Sequence, residues 1–487
     1  MAEFIIANMA PLMFGALVLF LLFGYPVAFA LAANGIVFGL LGIELGLLTP
    51  ALFQALPERI FGIMANDTLL AIPFFTFMGL VLERSGMAED LLDTIGQLFG
   101  PMRGGLAFAV IFVGALLAAT TGVVAASVIS MGLISLPIML RYGYDKRLAA
   151  GVIAASGTLA QIIPPSLVLI IMADQLGRSV GDMYEGAMVP GLVLTGLYVG
   201  YVALIAIFKP SAAPALPPEA RTLRGAKLML RVITTLVPPL VLIFLVLGTI
   251  FLGIATPTEG GAMGAAGALI LAIARQRLSF KLLKQAMETT GKLSSFVVFI
   301  LVGSTVFGLV FRGVNGDLWV EHLLLSLPGG QVGFLIVVNI LVFVLAFFLD
   351  FFELSFIIVP LLAPVADKLG IDLVWFGVLL AVNMQTSFMH PPFGFALFYL
   401  RSVAPASIKT TDIYWGAIPF VCIQIIMVAI IIIFPNIVSY GDPAEKARLE
   451  QQGDVDLSTM MQDGDATKAP TEDSAAELLK NLQSESK

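Results

Sequence analysis

Two stretches of the chain place oxygen-bearing side chains just before a pair of adjacent prolines. The first, SGTLAQIIPPS, covers 156–166, and the second, NMQTSFMHPPFG, covers 383–394. A proline inside a helix removes a backbone donor and clashes with the preceding turn, so each pair predicts a helix break that frees carbonyl groups. Unwound backbone carbonyls with hydroxyl and amide oxygens suit sodium ions in transporters. The two stretches therefore predict two sodium sites.

The composition places both breaks in a membrane protein. The chain has 487 residues, of which 59% are hydrophobic and 12% charged, and its mean hydropathy is +0.99. A soluble domain is about a quarter charged, whereas apolar runs of roughly 20 residues, enough to cross a bilayer, recur here. A β-barrel would show short alternating segments instead. We predict an all-α, polytopic membrane protein, and we interpret its first apolar run as a retained span because it lacks the basic leader of a secretory signal.

The reactive side chains argue against an enzyme. Cys422 is the only cysteine, and the only histidines are His322 and His390, so disulfides and thiol or histidine metal sites are not expected. Asp350 and Glu353 are too close in sequence for a convincing aspartyl pair. An intramembrane enzyme remains a remote alternative.

Basic loops predict the orientation of the spans, because loops rich in Lys and Arg stay cytoplasmic. The RYGYDKR loop at 141–147, the Pro-rich linker at 209–227 and the loop at 275–292 carry most of this charge. The loops around 43–58, 178–186 and 312–331 have less net positive charge and suit the periplasmic side.

This orientation requires two long apolar runs to turn back on themselves. The run at 105–140 lies between segments that both look cytoplasmic, and its middle, AATTGVVAAS, is small and polar. By the same argument, the run at 332–366 enters and leaves on the periplasmic side, with its tip near LDFFELS at 349–355. We predict two re-entrant hairpins, because non-helical backbone at membrane depth must be buried in protein or line a wet cavity. Two closed-end hairpins favour alternating access over a channel.

The segments then fall into two halves of matching order. Leu148 to Pro164 and Trp375 to Pro391 have equal spacing, and the loops orient the halves oppositely, which is typical of secondary transporters. The predicted parts are scaffold helices at 1–104; transport elements at 105–208, with a hairpin at 105–140 and a broken helix at 147–177; a cytoplasmic linker at 209–230; scaffold helices at 231–331; transport elements at 332–438, with a hairpin at 332–366 and a broken helix at 372–402; and a polar tail at 439–487. Residues 441–487 hold eleven acidic and five basic side chains, which gives −6 of the net charge of −7.

Several motifs in this order resemble one family. SGTLAQIIPPS, MYEGAMVPG (183–191), ATPTEGGAMG (255–264) and FLDFFELSFIIVPLLAPVADKLGID (348–372) are similar to the large membrane subunit of tripartite ATP-independent periplasmic (TRAP) transporters, the DctM family. The resemblance covers roughly 5–438. Two motifs depart from it: HPPFG stands where the family commonly has TPPVG, and ATTG replaces a Ser-rich first hairpin tip. Both departures bear on the substrate.

The breaks and the hairpin tips supply the candidate site residues. The sodium-binding candidates are Thr120, Thr121, Gly122, Ser156, Thr158, Gln161, Asp350, Glu353, Asn383, Gln385 and Thr386. The substrate-binding candidates are Ser166, Ser387, His390 and Gly394, and the breaks are at Pro164, Pro165, Pro391 and Pro392. Each has a plainer alternative: small hydroxylated residues pack membrane helices, Asp350 and Glu259 suit helix caps, and His390 suits a structural hydrogen bond.

The resemblance implies an inverted-repeat, elevator-type importer in the bacterial inner membrane. It implies a small membrane subunit of the DctQ type, a periplasmic binding protein of the DctP type, sodium as the coupling ion and no other metal or cofactor. The substrate should be a small organic anion, with a 2-oxo or hydroxy monocarboxylate first and a C4-dicarboxylate next. A self-sufficient ion-coupled anion symporter is the alternative. We expect no nucleic-acid partner.

Overall fold

The computed structural model describes residues 2–121, 123–392 and 394–440, without the side chains of Ala2, Thr120 and Thr121. The described segments fold into helices joined by short turns, and residues as far as Ser439 belong to one compact unit. The predicted acidic tail beyond residue 440 lies outside the described residues.

Eleven helices make up the first half. They are α1 (Ala2–Ala7), α2 (Met9–Leu22), α3 (Val27–Glu44), α4 (Leu56–Met64), α5 (Asp67–Arg84), α6 (Met87–Phe99), α7 (Gly105–Thr121), α8 (Val124–Arg141), α9 (Lys146–Thr158), α10 (Leu167–Leu176) and α11 (Val180–Phe208). Short 3₁₀ turns lie at Pro50–Ala55 and Leu159–Gln161, and in the linker at Pro210–Ala212 and Pro218–Ala220.

The second half follows the same order. It contains α12 (Gly225–Phe251), α13 (Pro257–Ala274), α14 (Phe280–Gly313), α15 (Gly316–Leu325), α16 (Gly330–Leu345), α17 (Phe351–Glu353), a π-helical turn (Leu354–Ile358), α18 (Val359–Lys368), α19 (Leu373–Gln385), α20 (Phe395–Val403) and α21 (Thr410–Ile433). The 3₁₀ turns are Thr386–Phe388 and Pro435–Ile437.

The helix lengths confirm a multi-pass membrane protein. Within the described residues, seven helices are long and apolar enough to cross a membrane, and two bent pairs raise the possible number of spans to nine. One of these pairs is α4 with α5, which meet at 45°, so the single span predicted at 60–82 is bent. The bend follows Ala65, and the side chain of Asn66 caps α5 by accepting a hydrogen bond from Thr68 N at 2.9 Å.

Both predicted hairpins are confirmed by contacts between their two ends. At the first, Gly104 N donates to Ala213 O at 2.8 Å and Asp145 N donates to Ala212 O at 2.9 Å, so both ends meet the same piece of linker. At the second, Gln331 Nε2 at the start of α16 donates to Leu369 O just after α18, at 2.5 Å. Each apolar run therefore enters and leaves on one face of the molecule.

The predicted basic loop at 275–292 is much shorter in the structure. The turn ends at Ser279, whose hydroxyl caps α14 by accepting from Leu282 N at 3.1 Å, and the helix continues for 34 residues. A helix of that length is about 50 Å long, which exceeds the roughly 30 Å hydrocarbon core. Its first turns can therefore extend beyond the membrane with their lysines in water. The prediction was wrong because it treated charge as a sign of a loop.

Small residues allow the closest helix contacts. A Cβ on Gly303 of α14 would lie 2.4 Å from Ala28 O of α3, and a Cβ on Gly151 of α9 would lie 2.1 Å from Gly416 O of α21. Membrane helices associate closely where such residues let their backbones approach. The first contact joins two predicted scaffold helices, and the second supports the first broken helix.

Candidate functional site

The two broken helices repeat the same local structure. Asp145 caps α9 and Asp372 caps α19, each through a side-chain oxygen that accepts backbone N–H groups. Both helices end in a three-residue 3₁₀ turn, Leu159–Gln161 or Thr386–Phe388. All these features are displaced by one constant offset along the chain, as are the cis Pro164-Pro165 and Pro391-Pro392 bonds. The predicted repeat therefore extends to capping and helix ends.

The repeats meet at their breaks. Gln385 Nε2 donates to Thr158 Oγ1 at 3.1 Å, and both side chains are fully buried. These residues occupy equivalent positions, the last of α19 and the last of α9. The described structure thus brings the centres of the two predicted sodium sites into direct contact.

Four buried oxygens at the breaks have no hydrogen-bond partner among the described residues. They are Ser156 Oγ, Gln161 Oε1, Gln385 Oε1 and Ser387 Oγ. Buried polar atoms are normally satisfied, so such a cluster calls for an explanation such as a bound ion or water. All four are neutral oxygen ligands, which fit a hard cation such as sodium.

Other candidate side chains donate hydrogen bonds to neighbouring backbone or to the second hairpin. Thr158 Oγ1 donates to Ala155 O at 2.8 Å, and Thr386 Oγ1 donates to Asn383 O at 2.6 Å. Asn383 Nδ2 donates to both Asn339 O, at 2.9 Å, and Asn339 Oδ1, at 2.8 Å, which joins α19 to the first arm of the second hairpin. The donor groups of Thr158, Thr386 and Asn383 are therefore occupied, and only their side-chain oxygens could serve as ion ligands.

Ser166 and Gly394 lie at the starts of the second half-helices. Ser166 Oγ donates to Gln161 O at 2.5 Å, across the first break, and accepts weakly from Leu169 N at 3.5 Å. Gly394 precedes α20, and a Cβ there would lie 2.6 Å from Phe388 O, so the second break is tightly folded. Both residues therefore help shape the breaks.

The acidic candidates form the tip of the second hairpin. Asp350 Oδ1 accepts from Glu353 N and Glu353 Oε2 accepts from Asp350 N, both at 3.0 Å. This reciprocal capping box starts α17, so the predicted cap role of Asp350 is present in the structure. Each carboxylate keeps a second oxygen and further lone pairs, so capping leaves it able to bind an ion.

His390 is enclosed by aromatic side chains. Its ring stacks on Phe347 at 4.2 Å between centroids and meets Phe343 edge-on at 4.3 Å, and only 1% of the residue is exposed. The His390 ring therefore links the second break to the end of the first arm of the second hairpin. Glu259 lies elsewhere, in a separate capping box with Thr256 at the start of α13.

The tip of the first hairpin is described only in part. The backbone of α7 continues through Thr121, but Gly122 and the side chains of Thr120 and Thr121 lie outside the described residues. Nearer the middle of α7, a Cβ on Gly114 would lie 2.5 Å from Ser156 Cβ. The first hairpin therefore packs directly against the first break.

A cavity of about 1100 Å³ opens beside both hairpin tips. Its walls come from all four predicted transport elements and from scaffold helices α2, α3 and α14. Its polar lining residues are Tyr25, Gln161, Glu288, Lys292, Ser295, Asp350, Glu353 and Tyr399, and most of the others are aliphatic or aromatic. None of the four substrate-binding candidates lines it, whereas Gln161, Asp350 and Glu353 do among the sodium-binding candidates whose side chains the structure describes.

Sequence reasoning missed the residues that α14 contributes to the cavity wall. The polar residues Lys292 and Ser295 and the aromatic Phe296 recur at helical spacing, and all three line the cavity. The basic pattern places Lys292 at the end of a predicted cytoplasmic loop. Phe296 and Phe299 continue an apolar period of three and four residues, and this period indicates that Lys292 lies on the same helix.

Paired hairpins, two breaks in contact and a cavity shared with surrounding helices define a multi-pass transporter built from two repeated halves. A protein-family profile described as "Tripartite ATP-independent periplasmic transporter, DctM component" matches residues 14–437. The chain therefore belongs to the DctM family, the large permease subunits of TRAP transporters of the inner membrane.

Individual relatives agree with this assignment. The chain is 30% identical over 434 residues to the C4-dicarboxylate TRAP transporter large permease protein DctM of Vibrio cholerae, covering 85% of this chain and 92% of that protein. It is 29% identical over 405 residues to the isethionate TRAP transporter permease protein DctMQ of Oleidesulfovibrio alaskensis, covering 82% and 61%. It is 26% identical over 392 residues to the sialic acid TRAP transporter permease protein SiaT of Haemophilus influenzae, covering 80% and 62%.

A solved structure supports the fold. The Alcanivorax borkumensis YdaH transporter matches with a TM-score of 0.54 at 15% identity, covering 78% of this chain and 87% of that one. This likeness confirms the predicted all-α polytopic fold. The profile match and the relatives confirm the predicted family, which is one of transporter permease subunits and not of enzymes.

Proposed function

We propose that this subunit uses a sodium gradient to import a small organic anion delivered by a periplasmic binding protein, in complex with a small membrane subunit. The observation that carries the proposal is the cavity between the scaffold helices and both hairpin tips, next to buried oxygens without partners. A substrate in the cavity would lie beside the coupling ions, so the occupancy of one can depend on the other.

Sodium coupling is supported by the type of ligand at the breaks. Ser156, Gln161, Gln385 and Ser387 offer neutral oxygens, and Asp350 and Glu353 add carboxylates at the cavity wall. Two carboxylates beside a low-dielectric cavity are costly unless cations accompany them. Sodium would reduce this cost and make the cavity more favourable for an anion.

The substrate class follows from the cavity and the relatives. The relatives are named for a C4-dicarboxylate, isethionate and sialic acid, all small organic anions. A cavity volume of about 1100 Å³ is slightly above the usual range of roughly 300–1,000 Å³ for small-ligand sites, so a small organic anion fits with room for water. Because the HPPFG motif and the first tip depart from the family pattern, we favour a 2-oxo or hydroxy monocarboxylate, with a C4-dicarboxylate next.

The proposed movement is of the elevator type. The hairpins and broken helices pack on one another, while α3 and α14 form a separate close contact. The cavity lies toward the end of α14 that follows the basic turn at 275–279, which is the predicted cytoplasmic side. The structure then corresponds to an inward-open state, and import requires the hairpins and breaks to move together toward the periplasm.

The test is uptake by the three components reconstituted in proteoliposomes. We expect an inward sodium gradient to drive saturable uptake of a radiolabelled carboxylate, with no uptake when potassium replaces sodium. Equal uptake without the binding protein and the small subunit would instead support a self-sufficient symporter. Uptake that ignores the sodium gradient would refute sodium coupling, and currents far above transporter rates would indicate a channel.

A further inference from the structure

One face of α14 forms the scaffold side of the cavity. Glu288, Lys292, Ser295, Phe296 and Phe299 all line it. Their spacing of three and four residues is that of a single helix face. Lys292 is therefore held on the cavity side by the register of the helix.

Lys292 is the one cation among the described residues that line the cavity. Glu288 Oε1 lies 3.9 Å from Lys284 Nζ, and the two carboxylates at the hairpin tip accept from backbone N–H groups. Within the described structure Lys292 has no carboxylate within 4 Å. Its ammonium group is available to a ligand.

The position of Lys292 along α14 also matters. At about 1.5 Å per residue it lies roughly 30 Å from Gly313, about the thickness of the hydrocarbon core. It is thus near the predicted cytoplasmic boundary, at the mouth of the cavity. Phe296, one turn further, meets Phe352 of the second hairpin edge-on at 5.6 Å, so the two walls face each other here.

We propose that Lys292 binds the carboxylate of the transported anion in the inward-open state and sets the affinity at which the anion is released. This rests on the proposed function. Because Lys292 belongs to the scaffold, whereas the ion-binding elements move, its contact with the substrate exists in only one of the two transport states. Removing the charge of Lys292 should therefore change substrate affinity on the cytoplasmic side alone.

The experiment measures substrate affinity separately on each side of the membrane. The three-component transporter is placed in proteoliposomes of defined orientation, and the half-saturating concentrations of external and internal anion are obtained from uptake and counterflow. The probes are pyruvate, lactate, succinate and N-acetylneuraminate. The variants are K292Q, K292R and the matched control K281Q, which changes a lysine about three turns earlier on α14 that does not line the cavity.

We expect K292Q to raise the internal half-saturating concentration about tenfold, as for the loss of one charge-assisted contact, and to leave the external value within about twofold. K292R should restore most of the internal affinity, and K281Q should behave as wild type. Sodium-dependent thermal stabilisation of K292Q would show that it is folded.

The outcomes separate the two proposals. If wild type transports a probe and K292Q leaves internal affinity unchanged, or alters both sides equally, the role of Lys292 is wrong and the proposed function stands. If K292Q is not stabilised by sodium, K292R decides the question. A folded K292R whose internal half-saturating concentration rises about tenfold would show that positive charge at this position is not what matters, and would also overturn the proposal. If wild type transports none of the four anions, the proposed substrate class fails, and the role of Lys292 fails with it.

Discussion

Asp350→Asn separates the two roles that the second hairpin tip gives to this carboxylate. Asp350 caps α17 through Oδ1, which accepts from Glu353 N at 3.0 Å, and it also lines the cavity. Asn caps helices about as well as Asp. The substitution therefore keeps the cap oxygen and removes only the charge.

The expected magnitudes follow from this separation. Interactions with a charged group contribute about 1.5–3 kcal/mol, so removing the charge should raise the half-saturating sodium concentration about 10- to 100-fold. Thermal stability without sodium should change little. Asp350→Ala should show the same sodium defect and lose about 1 kcal/mol more because the cap is gone.

The assay is thermal unfolding of the purified chain over a sodium series at constant ionic strength, with choline as the replacement cation. A ligand that binds only the folded state stabilises it by RT ln(1 + [L]/Kd), so the unfolding midpoint rises with sodium concentration once that concentration exceeds Kd. The concentration at which the rise begins reports sodium affinity. Glu259→Gln is the control, because Glu259 makes an equivalent capping box that does not line the cavity. It should bind sodium as wild type does. Unchanged sodium affinity in Asp350→Asn would remove this carboxylate from the ion site.

Three further substitutions test contacts described above. Gln385→Met removes the donor to Thr158, and in a double-mutant cycle with Thr158→Val we expect a coupling of about 0.5–1.5 kcal/mol; additive effects would show that the hydrogen bond contributes nothing to stability. Gly114→Ala should cost about 1–3 kcal/mol by overpacking against the first break, whereas Gly196→Ala, with open space around its Cβ, should leave the unfolding midpoint unchanged or higher; the reverse order of the two midpoints would contradict the packing. Asp90→Asn removes the ion pairs with both arginines of the turn after α13, at 3.0 and 3.4 Å, and should cost about 1 kcal/mol or less, with the cost shrinking at high salt; a salt-independent loss would argue against an electrostatic contribution.

Much of the architecture could be predicted because charge and proline have long-range consequences in a membrane. Basic residues on both sides of 105–140 predict a hairpin from the sequence alone, and the contacts at Ala212 and Ala213 confirm it. The paired prolines located both breaks. Their equal spacing located the repeat, which the caps at Asp145 and Asp372 extend.

The cavity lining was harder to predict because it depends on which helix faces meet. Hydropathy separates spans from loops but does not report the direction of a side chain. The sequence pattern therefore places Lys292 in a loop and does not single out Tyr399. Conversely, His390 looked available in sequence, yet Phe343 and Phe347 cover its ring. Such contacts come from residues more than 40 positions away along the chain.

The hydrogen bond between Thr158 and Gln385 has an evolutionary consequence. If the two halves arose from one duplicated segment, equivalent positions began with the same residue, and each would have faced its own copy across the axis that relates the halves. A Thr–Gln pair can arise there only after the copies diverge. The same divergence makes the two breaks chemically different, with a threonine hydroxyl on one side of the contact and a glutamine amide on the other.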